Sequence, residues 1–298
     1  MNHNWVELID CEVRQLRGRY RTRAIIGGDG PALVLLHGTG GHAENYIRNI
    51  PFFSRHFRTI AIDLLWHGGS QTDGFDARMI PCFVDQIVDV MSLLGLSRIH
   101  LEGQSLGGWV AMQFALTHPR LLEKLVLTTP VGYAPDPAPG STAVPQSTAK
   151  NREQSLAILA DPSFANIRKR LERIVHDPAI ITDEAVAVRH AFYNNPDVNR
   201  VQRELAENYY CGGEELAAQY TVTDRMAAGI GAPTLVYWGD KNHTPAAVGR
   251  QLAAQIPGAR FHSSAGTGHW AQFENADEHN RTVLEFLLDT SRQSAHAA

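Results

Sequence analysis

The stretch Gly103-Gln104-Ser105-Leu106-Gly107 constrains this chain more than any other, because of what flanks it. Before it lies a short β-like run, Arg98–Glu102, and after it a helical run, Trp109–Thr117, stopped by Pro119. A serine in so sharp a strand-to-helix turn holds a strained backbone conformation that lifts its hydroxyl clear of the sheet. The positions two before and two after it must then be glycine for strand and helix to approach. Gly103 and Gly107 meet that demand, which makes Ser105 a candidate nucleophile. The Leu106 amide, at the start of the helix, is a candidate donor to an oxyanion. A bare G-x-S-x-G string also suits a plain turn, so the rest of the chain has to decide.

Ala32–Leu36 is a continuous apolar run, the mark of a parallel strand buried on both faces, and it runs into His37-Gly38-Thr39-Gly40-Gly41. That glycine-rich turn stands where a second oxyanion amide would be supplied, from Thr39 or Gly40. Further strand patterns at Arg58–Asp63, Lys124–Thr128 and Ala232–Trp238 alternate with helical patterns at Glu44–Phe53, Ile80–Leu94, Ala246–Gln255 and Ala276–Leu288. Strands and helices that alternate through short connections predict an α/β fold with a mostly parallel, doubly wound sheet. Ligands bind such sheets at the carboxyl ends of the strands, where Ser105 and the 37–41 turn both fall. Residues 6–14 and 19–26 read as two leading antiparallel strands.

Between 132 and 145 the chain changes character, with Pro135, Pro137, Pro139 and Pro145 in a stretch that cannot hold a helix. Beyond this linker, Asn151–Met226 carries nearly all helical pattern: Ser155–Leu159, Phe164–Val175, Thr182–Tyr193, Val198–Tyr209 and Glu214–Ala218, with no strand. The expected organisation is a core in two parts, 1–131 and 229–298, with an all-helical lid at 132–228 inserted between them.

Composition removes several function classes. A formal net charge of −4 over 298 residues, with scattered basic residues, gives no field for nucleic acid or an anionic membrane. The N-terminus lacks the basic and apolar regions of a signal peptide, and no apolar run reaches membrane-spanning length, so the chain reads as cytoplasmic. Cys11, Cys82 and Cys211 are odd in number and widely spaced, which suits reduced thiols. No metal-ligand spacing appears among the histidines, and neither a metal nor a cofactor is expected. The expected partner is a small acidic molecule, with self-association left open.

Near the C-terminus, Gly266-Thr267-Gly268-His269-Trp270 follows the last strand pattern, and an imidazole placed there can reach a serine on a neighbouring strand. His269 is the candidate base. Serine first, then an acid loop after a later strand, then histidine is the chain order of the α/β-hydrolases, and the sequence resembles that family over nearly its whole length. Within it the chain resembles the meta-cleavage product hydrolases, which hydrolyse a carbon–carbon bond in vinylogous 1,5-diketones from aromatic ring degradation. Three segments carry the resemblance: Gly268–Glu278 around the histidine, Asn45–Asn49 after the glycine-rich turn, and Asp177-Pro178 with Ile181–Glu184 and Arg189 in the helical block. The resemblance implies that Asn45 contacts the dienoate and that Arg189 holds its carboxylate, a task a planar guanidinium suits. Trp270, beside the histidine, is a candidate for the pocket wall and equally for the core.

The chain departs from the family in its shorter glycine-rich turn, in Gln104 before the serine and in Trp66 where a small residue is usual. The sharper departure concerns the acid. Counted from Trp238, the family's aspartate falls at Asn242, and the loop's carboxylate is Asp240. Asn242 can orient an imidazole without offering the imidazolium a full charge, whereas Asp240 offers the charge from another position. Both stay open at this point. An ester or lactone hydrolase on the same scaffold, and a ligand-binding relative with a degenerate site, are the competing readings.

Overall fold

The strands are β1 (Cys11–Arg17), β2 (Arg21–Gly27), β3 (Ala32–Leu36), β4 (Arg58–Ile62), β5 (Ile99–Gln104), β6 (Leu122–Thr128), β7 (Thr234–Gly239) and β8 (Arg260–Ser264). Every residue of β3, β5 and β7 is buried, as strands covered on both faces must be. The computed structural model describes residues 8–136, 148–208 and 218–290. In it the strands form one sheet ordered β1-β2-β4-β3-β5-β6-β7-β8. β1 and β2 pair antiparallel, β2 runs antiparallel to β4, and every later pairing is parallel. The leading strands lie a few residues beyond the sequence expectation. In β1 only Leu16 is buried, so the apolar alternation that locates a strand is nearly missing there.

Alternation along β3 sends its side chains into two cores. Val34 and Leu36 pack with α2 (Met79–Leu94) and α3 (Leu106–Thr117), whereas Leu33 and Leu35 pack with α1 (Ile50–Phe53) and with Val283 and Phe286 of the C-terminal helix. α3 is buried over Leu106–Ala115 and sits at the centre of its layer. At its start Ser105 has φ 54° and ψ −115°. A Cβ on Gly103 would lie 2.1 Å from the Gly107 carbonyl oxygen, and one on Gly107 would lie 2.3 Å from that of Leu36. Both contacts are with backbone, which cannot swing aside.

Between β6 and β7 come α4 (Thr148–Ala160), α5 (Phe164–Glu172), α6 (Asp183–Tyr193), α7 (Pro196–Glu207) and α8 (Asp224–Ala227). Thr182, Asn195 and Thr223 cap α6, α7 and α8 by accepting backbone N–H bonds. One feature corrects the strand-free reading of this block: Val222 bridges Tyr133 in parallel, with its N–H on the Gly132 carbonyl at 2.8 Å. Asp224 also accepts from the Tyr133 hydroxyl, so the two stems of the insertion are joined. Cys211, the linker prolines 137, 139 and 145, and most of the helix expected at Glu214–Ala218 lie outside the described residues. After β7 follow α9 (Ala246–Gln255), α10 (Ala271–Glu274) and α11 (Ala276–Leu288). Among the described residues no helix is long and apolar enough to cross a membrane.

The crossing at Gly107 generates a stability prediction. Gly107→Ala should lower the unfolding free energy by about 3 kcal/mol, because the β3–α3 contact has to open to admit a methyl group. Gly231→Ala, where an added Cβ meets nothing within 4 Å, should change it by less than about 0.5 kcal/mol. Urea midpoints at constant m-value measure both.

Candidate active site

Three loops at the carboxyl ends of β5, β7 and β8 bring Ser105, Asn242 and His269 together. Ser105 Oγ lies 3.0 Å from His269 Nε2, and His269 Nδ1 lies 3.0 Å from Asn242 Oδ1. The amide oxygen only accepts, so Nδ1 carries the proton and Nε2 faces the serine hydroxyl as acceptor. Around the ring the backbone is pinned on both sides. The His269 carbonyl accepts from Gln104 Nε2 at 3.1 Å and from Thr129 Oγ1 at 2.8 Å, while its N–H donates to the Ile174 carbonyl at 2.9 Å.

Asp240 does not reach this set. Its carboxylate accepts from the Thr267 N–H at 3.3 Å and stands 3.5 Å from Lys241 Nζ on the exposed side of the turn. The alternative in which Asp240 orients the imidazole is therefore corrected: the turn after β7 aims position 242 inward and position 240 outward. No carboxylate thus offsets the burial of His269. Burial, with the His243 ring 4.4 Å away adding in the same direction, lowers the imidazole to about 3.

Thr39 and Leu106 line one cavity beside this set, together with His67, Ser155, Arg170 and Tyr193. Gly40, at φ 66°, lies against the same wall: its carbonyl accepts from the Tyr193 hydroxyl at 3.4 Å. A wider hollow bounded by Arg19, Trp66, Arg78 and Asp85 lies apart, and its charges are already matched, Arg19 with Asp85 and Arg78 with Asp76.

Arg189, on α6, is buried and donates through Nη2 to Asn45 Oδ1 at 3.1 Å. No ion pair joins it to a carboxylate among the described residues, and its Nε has no partner. Glu44, the acid nearest in sequence to Asn45, is taken by Arg23 at 2.5 Å and by His42 at 2.9 Å. Burial lowers the affinity of the Arg189 guanidinium for its proton, though never enough to discharge it. Trp270 does not line the cavity. It stacks on Phe273 at 4.0 Å and donates its indole N–H to the Asn45 carbonyl at 3.1 Å, so it supports the loop that carries Asn45.

Sequence reasoning missed Gln104, Thr129, Tyr193 and the Ile174 carbonyl as parts of the site. Gln104 stood out only as a departure, and the others carry no motif. His37 is structural: it accepts from the Leu64 N–H and donates to the Gly38 carbonyl. Cys11 and Cys82 are free thiols. Among the described residues no cluster of His, Cys, Asp and Glu is arranged to hold a metal.

Comparison with known proteins identifies the family. The family model of the alpha/beta hydrolase fold matches residues 31–276. A 2-hydroxy-6-oxononadienedioate/2-hydroxy-6-oxononatrienedioate hydrolase of Comamonas testosteroni is 34% identical over 269 residues, covering 88% of this chain and 89% of its own. A 2-hydroxy-6-oxo-6-phenylhexa-2,4-dienoate hydrolase of the same species is 32% identical over 272 residues, covering 87% and 88%. Among solved structures, the 2-hydroxy-6-oxo-6-phenylhexa-2,4-dienoate hydrolase of Rhodococcus sp. strain RHA1 superposes with a TM-score of 0.79 at 27% identity, covering 93% of this chain and 99% of that one. With the serine elbow, the eight-stranded sheet and these relatives in agreement, the chain belongs to the α/β-hydrolase family, among its meta-cleavage product hydrolases.

Proposed function

We propose that this enzyme hydrolyses the carbon–carbon bond beside the ketone of a 2-hydroxy-6-oxo-dienoate, with Ser105 as nucleophile, His269 as base and Asn242 as the residue that orients it. The observation that carries the reading is the buried Arg189 guanidinium, free of any ion pair among the described residues and bonded to Asn45, whose carbonyl accepts from the indole N–H of Trp270, the residue next to His269. A neutral ester would leave that charge unmatched in a low dielectric, whereas a dienoate carboxylate matches it with charge-assisted bonds.

Arg189 and Asn45 hold the carboxylate end and favour conversion of the dienol to its keto tautomer, which places an electron sink next to the bond to be broken. Ser105 Oγ then adds to the ketone as His269 Nε2 takes its proton. The oxyanion accepts from the amides of Leu106 and Thr39, the two turn residues that line the cavity. Collapse of the adduct breaks the carbon–carbon bond, the leaving carbon is protonated, and water clears the acyl-enzyme. Helices α4 to α8 serve as the lid that keeps bulk water out. The Gln202 side chain of α7 donates to the Trp66 carbonyl at 2.6 Å, and the Ile174 carbonyl just past α5 holds the His269 loop. The free thiols suit a cytoplasmic setting.

The neutral Asn242 sets the limits of the base. It fixes the tautomer but does not stabilise the imidazolium that forms as serine loses its proton. His269 is already deprotonated well below neutrality, so acid does not disable the free enzyme through this group until the pH nears about 3.

Two experiments follow from these roles. The yellow dienoate should lose its absorbance under wild type, at least about 10³-fold more slowly under Ser105→Ala, and about 10²-fold less efficiently under Arg189→Met. Ser105-dependent cleavage of simple aryl esters without bleaching would overturn the carbon–carbon assignment. Asn242→Asp should supply the missing charge, raise the histidine pKa and move the acid limb of kcat/KM up toward pH 6–7. Pre-steady-state acylation by an aryl ester should quicken at least tenfold, a fraction of the ~10⁴ lost when a triad aspartate becomes asparagine.

A further inference from the structure

The cavity beside Ser105 is lined by a hydrogen-bond acceptor that no group among the described residues satisfies. His67, in the turn after β4, lines it with Thr39, Leu106 and Tyr193. The His67 Nδ1 lies 2.8 Å from the Leu65 carbonyl, which only accepts, so Nδ1 carries the ring proton and Nε2 presents a bare lone pair. That Nε2 is buried and has no hydrogen-bond partner. The bond to Leu65 fixes the ring, and the rings of His37 and Phe83 flank it at 5.1 and 6.1 Å. Burial, with the Arg189 charge adding in the same direction, lowers the imidazole to about 4, so at neutral pH it stays an acceptor. A buried acceptor without a donor is a cost to the free enzyme that a ligand O–H removes.

The other polar wall of the cavity is of the opposite kind. Arg170 and Arg189 are both hydrogen-bonded to Tyr193 and form one anion region, of which Arg170 and Tyr193 line the cavity. A guanidinium can only donate, so a carboxylate satisfies this wall. A hydroxyl beside the carboxylate satisfies His67, and a 2-hydroxydienoate carries the two groups on adjacent carbons. We infer that His67 Nε2 accepts the hydrogen bond of the substrate's 2-hydroxyl, which makes the enzyme selective for a dienol acid over acids that lack that hydroxyl. The inference rests on the carbon–carbon hydrolase reading and deepens it. Accepting from the enol O–H also pushes electron density along the diene toward carbon 5, the atom protonated as the keto form appears.

The test measures binding to Ser105→Ala, which holds its ligand uncleaved. One ligand is 2-hydroxy-6-oxo-6-phenylhexa-2,4-dienoate and the other is the same acid without its 2-hydroxyl. Ser105→Ala should bind the hydroxy acid about 10- to 100-fold more tightly, since the second ligand leaves the acceptor unpaired. Adding His67→Phe should remove most of that preference, and His67→Gln, whose amide oxygen can accept, should keep part of it. The nitrogen NMR signal of Nε2, assigned by its loss in His67→Gln, should move upfield with the hydroxy acid and stay in place with the other ligand, a response that a residue merely packing the wall would not give. Equal affinity of Ser105→Ala for the two ligands would overturn the inference. So would an equal loss on both ligands in His67→Phe, or an Nε2 signal that does not move. Failure of the carbon–carbon reading shows separately, as a wild type that does not bleach the dienoate, whereas the ligand pair reads His67 with or without cleavage.

Discussion

The crossing of β3, β5 and α3 is the contact on which the rest of the site depends. With the Leu36 carbonyl only 2.3 Å from where a Gly107 side chain would begin, the helix starts against the end of the neighbouring strand. Ser105 is thereby held at φ 54°, a conformation that costs about 1–3 kcal/mol and persists only when its surroundings over-determine it. They do so with a full set of bonds. The Ser105 N–H donates to the Thr128 carbonyl, and its own carbonyl accepts from Gly108, Trp109 and Val131. The same crossing brings the turn after β3 beside the first residue of α3, which is why Thr39 and Leu106 share one cavity. The strained serine and the cavity beside it are consequences of one packing event.

The base is organised differently, because it depends on the inserted helices. His269 receives two side-chain bonds from the core, from Gln104 and Thr129, and gives its N–H to Ile174 just past α5. Trp270 gives its N–H to the same carbonyl. A Cβ on Gly268 would lie 2.7 Å from the His176 backbone nitrogen, so the histidine loop and the helical block touch backbone to backbone. The position of His269 therefore depends on the helical block as well as on the core. The same backbone contacts bind the histidine loop and the helical block into one unit.

How much of this was legible in the sequence follows from which interactions are local. The elbow at Gly103–Gly107 and the apolar run Ala32–Leu36 could be read because glycine at a close approach and strands buried on two faces leave their mark in consecutive residues. Strand β1 was displaced in the reading because its burial is slight, and the bridge at Val222 was missed because one residue pair has no period. Asn242 against Asp240 could not be settled from residue type, since chemistry favoured one and register the other. The backbone of the turn after β7 decides it, by aiming one side chain at His269 and the other at Thr267. Tyr193, Thr129 and the Ile174 carbonyl were invisible for a related reason: each acts through a contact between segments distant in the chain.

The neutral residue at position 242 and the cationic walls belong to one electrostatic arrangement. The acids near the site are already engaged: Glu44 with Arg23 and His42, Asp63 with Arg23 and the N–H groups of Ala43 and Gly69. With asparagine in the third position, no carboxylate faces the substrate from the catalytic set itself. Arg170 lines the cavity and Arg189 lies behind its Tyr193 wall, 5.7 Å from that ring, so the charge nearest the cavity is positive. An aspartate at 242 would strengthen the base and at the same time set a negative charge beside the place where negative charge must develop. For a substrate that brings its own carboxylate, and carries an electron sink before serine attacks, the demand on the base is reduced while the demand for positive potential is not. On the proposed reading, the weak base and the surplus of arginine are two sides of one accommodation to an acidic substrate.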